Sequence, residues 1–514
     1  MDSSARLHGR QVFGILFLGY FLFVLYPILR ADRPCNDDLA RALNGAYAWD
    51  INGRPLTTLL MKLLVLKLPF LVDIAPLSQL LAIALLALSG VLIARRYAIA
   101  SPWLAALLAL PLGAQPFFLQ SLSFRFDAAP MALSLLLALL PVTLFPRGRA
   151  GFWLGAAALF GCLCSYQPSF NVFLLFVLLD LLVWQTESVP PRQLALQALR
   201  YSGQAVLALL VYQWKVAPTV REWVQEHSHT IHGLGQLSTV QHNARMMGAY
   251  LLDAMPHSWM HIFLPMLLLA AILPLVIGLR YALVPGRPWW LRLGIIAFAL
   301  LVPCVALLCL AGPMLLLVSP VLAPRVFSSV GALISASLIS LYAASGAGSK
   351  TWATYLTATF AGIWALGMLT FAGVYGSALA AQQHYEDRIA SQLANDLADL
   401  KARHGVSQFL LDGSAGYSPL TAHAAAQFHL LDTLVLPYLE ARDFNSRNFI
   451  QYYGMGMDEV RQDPANDAMA DRLLAGACTL PALATRSRYS MRVLGNTAVI
   501  TLPGGKPTVC SSSP

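Results

Sequence analysis

Charge is scarce in this sequence. Asp, Glu, Lys and Arg make up 11% of its 514 residues, against 57% hydrophobic residues and a mean hydropathy of +0.62. A water-soluble chain of this length cannot bury so much apolar side chain, which excludes a soluble globular enzyme and leaves a polytopic membrane protein. Cysteine is scarce too. The seven cysteines form no C-x-x-C pair, which argues against zinc or dithiol redox work. There is no P-loop and no G-x-G-x-x-G, so nothing offers a nucleotide grip. No internal repeat and no low-complexity segment appears beyond the terminal SSSP. Residues 1–375 carry a net +11 and residues 376–514 a net −2. A basic excess of this kind belongs to cytoplasmic membrane anchors, and nucleic-acid binding is not inferred from it.

What is present is a long series of apolar windows. About 20 such residues cross a bilayer. The spans are expected near 12–30, 76–94, 99–114, 128–146, 151–167, 169–186, 196–214, 258–279, 293–311, 326–345 and 352–374, about eleven in all. The first is too long for a signal-peptide core and has no small-residue cleavage site after it, so it reads as a retained span. Arg6 and Arg10, Arg95 and Arg96, Arg147 and Arg149, Arg192, Arg280 with Arg287 and Arg292, and Lys350 all fall in breaks on one side, with only Asp2 and Glu187 as acids there. By the positive-inside rule that side is the cytoplasm, which puts the N-terminus in and residues 376–514 out. The segment 55–71, interrupted by Lys62 and Lys67, reads as an interfacial helix on the outer face.

Two domains are expected: a membrane domain over 1–375 and an extracytoplasmic α/β domain over 376–514. In the second, Ser377–Arg403 has helical periodicity and ends at Gly405. SQFLLDG reads as a buried strand, and SMRVLGNTAVITLP as a hairpin turning at Gly495-Asn496. Cys478 and Cys510 lie outside the cytoplasm, where either a disulfide between them or two free thiols is compatible with the sequence.

The scarce charge gathers in CNDDLARALNGAYAWDINGRPL, residues 35–56. Asn36 is a good N-cap, and Asp37 and Asp38 suit the first turn of a helix. Arg41 lies at i+4 and i+3 from them, so the acids can simply pair with it on a surface helix. Two adjacent carboxylates beside a membrane also suit a general base, and Arg41 and Arg54 suit a phosphate. Further outward turns bring Arg125 and Asp127, then Tyr166 and Gln167, then Arg325. Each has an ordinary anchoring explanation. Their convergence on the side away from the positive face suggests a site for an anionic lipid headgroup.

These residues resemble a known family. D-D-x-x-R (Asp37, Asp38, Arg41), G-x-x-x-W (Gly45, Trp49) and G-R-P-L (Gly53–Leu56) resemble the signature of serotype-converting O-antigen glucosyltransferases, with Ser123–Asp127 and Tyr166-Gln167 as supporting matches. The resemblance implies a GT-C type membrane glycosyltransferase of the bacterial inner membrane, with its site at the periplasmic face. It implies a polyprenyl-phosphate sugar donor, usually glucose, and a hydroxyl of lipid-linked O-antigen as acceptor. It also implies dependence on a separate donor synthase and flippase. A catalytic base is then expected at Asp37, with Asp38 as substitute or orienting partner. The phosphate leaving group calls for cations, here Arg41, Arg54, Arg125 and Arg325. Trp49, Tyr47, Asp127, Tyr166 and Gln167 are expected to meet sugar or acceptor, the aromatics serving otherwise as anchors. A single displacement inverts the anomeric centre. No cofactor is required, and a divalent metal is left open.

Other features are set aside. His227, His229 and His232 lack a helical metal spacing and read as solvated loop. Asp180 is an intramembrane acid read as structural, and Cys162, Cys164, Cys304 and Cys309 as small packing residues. The rival readings are a glycan flippase or transporter, an O-antigen polymerase or ligase, and a glycan-binding tail on an anchor. A transporter wants charge at the bilayer midplane, whereas here it sits at the outer boundary.

Overall fold

A computed structural model describes residues 3–145, 148–221, 231, 236–345, 351–441, 443–454, 457–460 and 466–504. Arg147, His227, His229, His232, Lys350 and Cys510 lie outside the described residues. The chain is mostly helical. Helix α1 (Ala5–Ala31) is followed by α2 (Asp38–Asn44), α3 (Pro55–Leu64) and α4 (Leu77–Arg96). Next come α5 (Pro102–Ala114), α6 (Pro116–Ser123), α7 (Ala128–Thr143), α8 (Arg149–Ser165) and α9 (Phe170–Thr186). Then come α10 (Pro191–Lys215), α11 (Leu237–Asp253), α12 (His257–Ala282), α13 (Trp289–Ala311), α14 (Ser329–Ala344) and α15 (Thr351–His404).

Each of the eleven apolar windows falls on a helix or a bent pair, but they are not alike. Among the described residues, eight helices are long and apolar enough to cross a membrane, and nine if the α5–α6 pair is one span. Helices α7 and α8 are shorter, at 16 and 17 residues. The pair α5–α6 bends by 66°. Pro116 holds Gln115 out of the helical region, at φ −66° and ψ 147°, and the Gln115 Oε1 atom caps the new helix by accepting from Phe117 N at 2.9 Å. The turn expected at 115–127 is therefore largely a buried helix, and it delivers Phe124–Asp127 to the mouth of the bundle.

Asp180 is wholly buried. It is ion-paired with Arg96 of α4 and accepts from Tyr201 Oη of α10 at 2.8 Å. The acid thus ties three helices together, as its structural reading expects. Asp180→Ala would leave Arg96 without its partner, and breaking a pair this buried costs about 3–5 kcal/mol. The expected result is a clearly lower melting temperature in detergent. Cys162, Cys164 and Cys309 are buried free thiols, and Cys304 is exposed.

The last span does not stop at residue 375. Helix α15 runs unbroken for 54 residues to His404, where Gly405 at φ +66° ends it. Gly376 marks a close approach, since a Cβ there would lie 2.4 Å from the Pro27 Cβ of α1. Beyond Gly405 come β1 (Gln408–Asp412), α16 (Pro419–Ala425), α17 (Leu431–Leu434) and α18 (Phe444–Tyr452). They are followed by β2 (Asp458–Glu459), α19 (Asp467–Ala477), β3 (Ala484–Thr485), β4 (Ser490–Leu494) and β5 (Thr497–Thr501). The sheet order is β2-β1-β5-β4-β3, with β1 parallel to both neighbours and β4–β5 an antiparallel hairpin. Strand and hairpin lie where the sequence predicts them. Ile389, Leu393, Leu397 and Leu400 form one face of α15 and pack on Phe409, Met491 and Ile500. Leu39 of α2 joins that same cluster, so the segment between α1 and α3 and the tail share a core.

Candidate active site

The loop after α1 and the loop after α6 meet at Asp38. Its carboxylate is 1% exposed. Oδ2 accepts from Cys35 N at 3.0 Å and from Arg125 N at 2.9 Å. Oδ1 is buried and has no hydrogen-bond partner. Loss of hydration pushes the carboxyl up to about 8, against the two backbone N–H bonds, and the nearby Asp127 carboxylate pushes in the same direction as burial. Asp37 is exposed, at the N-cap position of α2 but without a side-chain cap bond. The expected N-cap, Asn36, lies outside the helix at φ +45°.

Around Asp38 the other candidates divide. Asp127 is buried, and its Oδ1 accepts from Trp49 Nε1 at 2.9 Å and faces Arg54 Nη1 at 3.8 Å. Arg54 stands over the Tyr166 ring at 4.8 Å, and the Tyr166 hydroxyl is buried without a hydrogen-bond partner. Arg41 does not pair with Asp37 or Asp38. It stacks on Trp49 at 4.0 Å and donates to the Tyr47 carbonyl at 2.9 Å. The shape of the loop decides this: Gly45 at φ +68° ends α2 and turns the chain so that Trp49 comes back over Arg41.

Arg125 does not pair with Asp127. It is held by Asp32 and by Asp73, both at 2.7 Å. Arg325 has no carboxylate partner among the described residues. It lies 5.6 Å over the Phe124 ring, and its charge acts on the Tyr166 and Tyr250 hydroxyls. Gln167 donates to Tyr212 Oη at 2.8 Å and to the Gly53 carbonyl at 3.3 Å, so it props the Gly53-Arg54 turn. Tyr47 donates to the Leu68 carbonyl at 2.7 Å and sits on the α3 segment rather than beside Asp38. Among the described residues, no three His, Cys, Asp or Glu side chains come together as a metal cluster.

Two features near the site were not read from the sequence. One is an apolar cavity of about 750 Å³ walled by α6, α11, α12, α13, α14 and α15, with Met247, Trp259, Phe263 and Phe371 among its lining. Phe117 also lines it, and its ring packs with Tyr250 and Phe327 at 6.2 and 5.7 Å. Arg325 lies two residues before Phe327, whose ring packs on the cavity-lining Phe117, and its charge reaches both Tyr166 and Tyr250. The other is the grip of the tail on the loop before Asp38. Arg33 was a visible signal for it, a charge just after a span.

Residues 26–336 match the glucosyl transferase GtrII family. Over 169 residues the chain is 27% identical to an uncharacterized 55.3 kDa protein of the gtrB 5′ region of Salmonella phage P22. That alignment covers 33% of this chain and 35% of the phage protein, so the chain spans about a third of the length of this relative. No solved structure matches.

Proposed function

Because the chain belongs to the glucosyl transferase GtrII family, we propose that it moves a sugar, glucose in the first instance, from a polyprenyl-phosphate donor to a hydroxyl of lipid-linked O-antigen or a related surface glycan. The observation that carries this reading is Asp38: a buried carboxylate with one oxygen fixed by two backbone N–H groups and the other unpartnered. That free oxygen is where an acceptor hydroxyl can donate its proton. The oxygen of the hydroxyl then attacks C1, the C1–O bond to phosphate breaks, and the polyprenyl phosphate leaves with the electron pair. The anomeric centre inverts. Asp38 takes the base role in preference to Asp37, which is exposed and unfixed. Arg325, Arg54 and Arg41 remain available to the departing phosphate, whereas two carboxylates already neutralise Arg125. The apolar cavity suits the lipid chain. Asp127, Trp49 and Tyr166 are left to meet the sugar.

A transporter is disfavoured because the buried intramembrane acid Asp180 is already paired with Arg96. The test is turnover in proteoliposomes with polyprenyl-phosphate glucose and a lipid-linked glycan. Stoichiometric release of polyprenyl phosphate with glucosylated product is expected. Movement of the donor across the bilayer without release would overturn the enzyme reading.

The proposed setting is the inner membrane, with the N-terminus in the cytoplasm and the tail in the periplasm. Exposed Trp103, Trp153, Trp289, Trp290 and Trp352 lie within the first two turns of α5, α8, α13 and α15, on the basic side, as an interfacial belt. Cys478 is disulfide-bonded, which suits an oxidising compartment. An alkaline phosphatase fused after residue 514 is expected to be active, and an inactive fusion would reverse the orientation. The donor synthase and flippase are proposed as separate partners, in keeping with the phage relative's place beside gtrB.

A further inference from the structure

We infer that Tyr438, in the tail, is a positioning residue for sugar transfer: it holds the loop that aims Asp38. This rests on the reading of Asp38 as the base. The loop is gripped on both sides of Cys35. The Tyr438 hydroxyl donates to the Pro34 carbonyl and accepts from Asn36 N at 3.1 Å. Cys35, between them, donates its N–H to Asp38 Oδ2 at 3.0 Å. The nearer of the tail's two contacts, Asn36, is therefore two positions from the carboxylate it orients.

Tyr438 is itself fixed. Its ring lies 4.0 Å under the Arg33 guanidinium, and its backbone N–H donates to Glu386 Oε1. Leu439 N donates to the same oxygen at 3.0 Å, and Arg33 Nη2 reaches Glu386 Oε2 at 2.6 Å. Arg33 also donates to Gln383 Oε1 at 3.0 Å and to the Leu436 carbonyl at 2.7 Å. Every one of these side chains is buried. Helix geometry explains the meeting. Gly376 lets α15 touch Pro27, and Gln383 and Glu386 follow on the same face two to three turns later, level with Arg33. A network fully satisfied and fully buried allows one arrangement of its parts. It transmits the tail's position to the Asp38 loop, which no sequence-local contact of that loop could do.

The test is Tyr438→Phe, which keeps the ring under Arg33 and removes only the hydroxyl. It is compared in wild type and in an Asp38→Asn background, at matched membrane levels and with melting temperature recorded. Misplacing a catalytic group by about 1 Å costs up to about a hundredfold. Tyr438→Phe is expected to lower kcat roughly tenfold to a hundredfold with the KM for polyprenyl-phosphate glucose unchanged. In the Asp38→Asn background it is expected to lower the residual rate by less than about twofold, because the group it positions is already gone. An equal loss in both backgrounds, or a rise in donor KM alone, would make Tyr438 a structural residue and overturn the inference. Wild-type kcat in Tyr438→Phe would do the same. If Asp38→Asn by itself turns over normally, the base assignment fails instead, and the two failures are told apart by that single variant.

Discussion

Asp38→Asn is expected to lower sugar transfer by about 10²–10⁴-fold, the contribution of a positioned general base, and at the same time to make the protein more stable. Both follow from one carboxyl. The transfer step needs an ionised carboxylate, and burial holds this one up to about 8. The acid limb of kcat/KM is therefore expected near pH 8, with rate rising tenfold per pH unit below it and levelling above. The stability effect has the opposite sense. A carboxyl raised from 3.8 to about 8 in the folded state favours its proton there. Below pH 4 it is neutral folded or unfolded and contributes nothing. As pH rises from about 4 to 8, the unfolded chain sheds the proton and the folded one keeps it, so stability falls. Asparagine removes that penalty, keeps an oxygen for the N–H groups of Cys35 and Arg125, and places an amide where Oδ1 stood. The gain near pH 7 is on the order of 2–4 kcal/mol. Melting temperature against pH checks it: the wild-type curve should fall between pH 5 and 8 and the variant's should fall less. Asp37→Asn is expected to change neither quantity by much. If Asp37→Asn abolishes transfer and Asp38→Asn does not, the roles of the two acids are reversed.

The apolar windows were legible because hydropathy is a local property. The strand at 408–412 and the hairpin at Gly495-Asn496 were legible because a two-residue turn between alternating runs has a short-range signal. The break at Pro116 was visible as a proline, but the 66° bend that follows it depends on which helices receive α6. The pairings inside the site were not legible. Asp37–Arg41 and Arg125–Asp127 have the right spacing, yet Arg41 goes to Trp49, Asp127 to the indole of the same residue, and Arg125 to Asp32 and Asp73. Residues close in sequence lost their partners to residues brought in by the turn at Gly45 and by the 65–76 loop. The division of labour between Asp37 and Asp38 was hidden for a similar reason. The loop after α6, some 87 residues away, closes on Asp38 through the Arg125 N–H, while Asp37 stays in water. The continuity of α15 across the compositional boundary at 375/376, which carries Glu386 to Arg33, was not legible either.

Arg325→Ala carries the second large effect. As the bond from C1 to oxygen breaks, the lipid phosphate gains charge, and a fixed cation stabilises that charge more in the transition state than in the bound donor. Of the four candidate arginines, Arg125 is neutralised by Asp32 and Asp73, and Arg54 lies 3.8 Å from Asp127. Arg41 is spread over an indole. Among the described residues, Arg325 alone of the four stands without a carboxylate or a stacked indole, and its charge reaches both Tyr166 and Tyr250, whose ring packs on the cavity-lining Phe117. A phosphate whose chain fills that cavity and whose sugar reaches Asp38 would rest on it. Arg325→Ala is therefore expected to lower kcat by about 10²–10³-fold, the usual loss on removing one such donor, with a smaller rise in donor KM. Arg325→Lys should recover part of the rate, since a point charge replaces the forked guanidinium. Arg125→Ala serves as the contrast: it leaves the backbone N–H on Asp38 intact and unpairs two surface-reaching acids, so it should lower the melting temperature while kcat stays within about tenfold of wild type. If instead Arg125→Ala abolishes turnover and Arg325→Ala is tolerated, the phosphate lies on the Asp32–Asp73 side of the loop, and the cavity has another occupant.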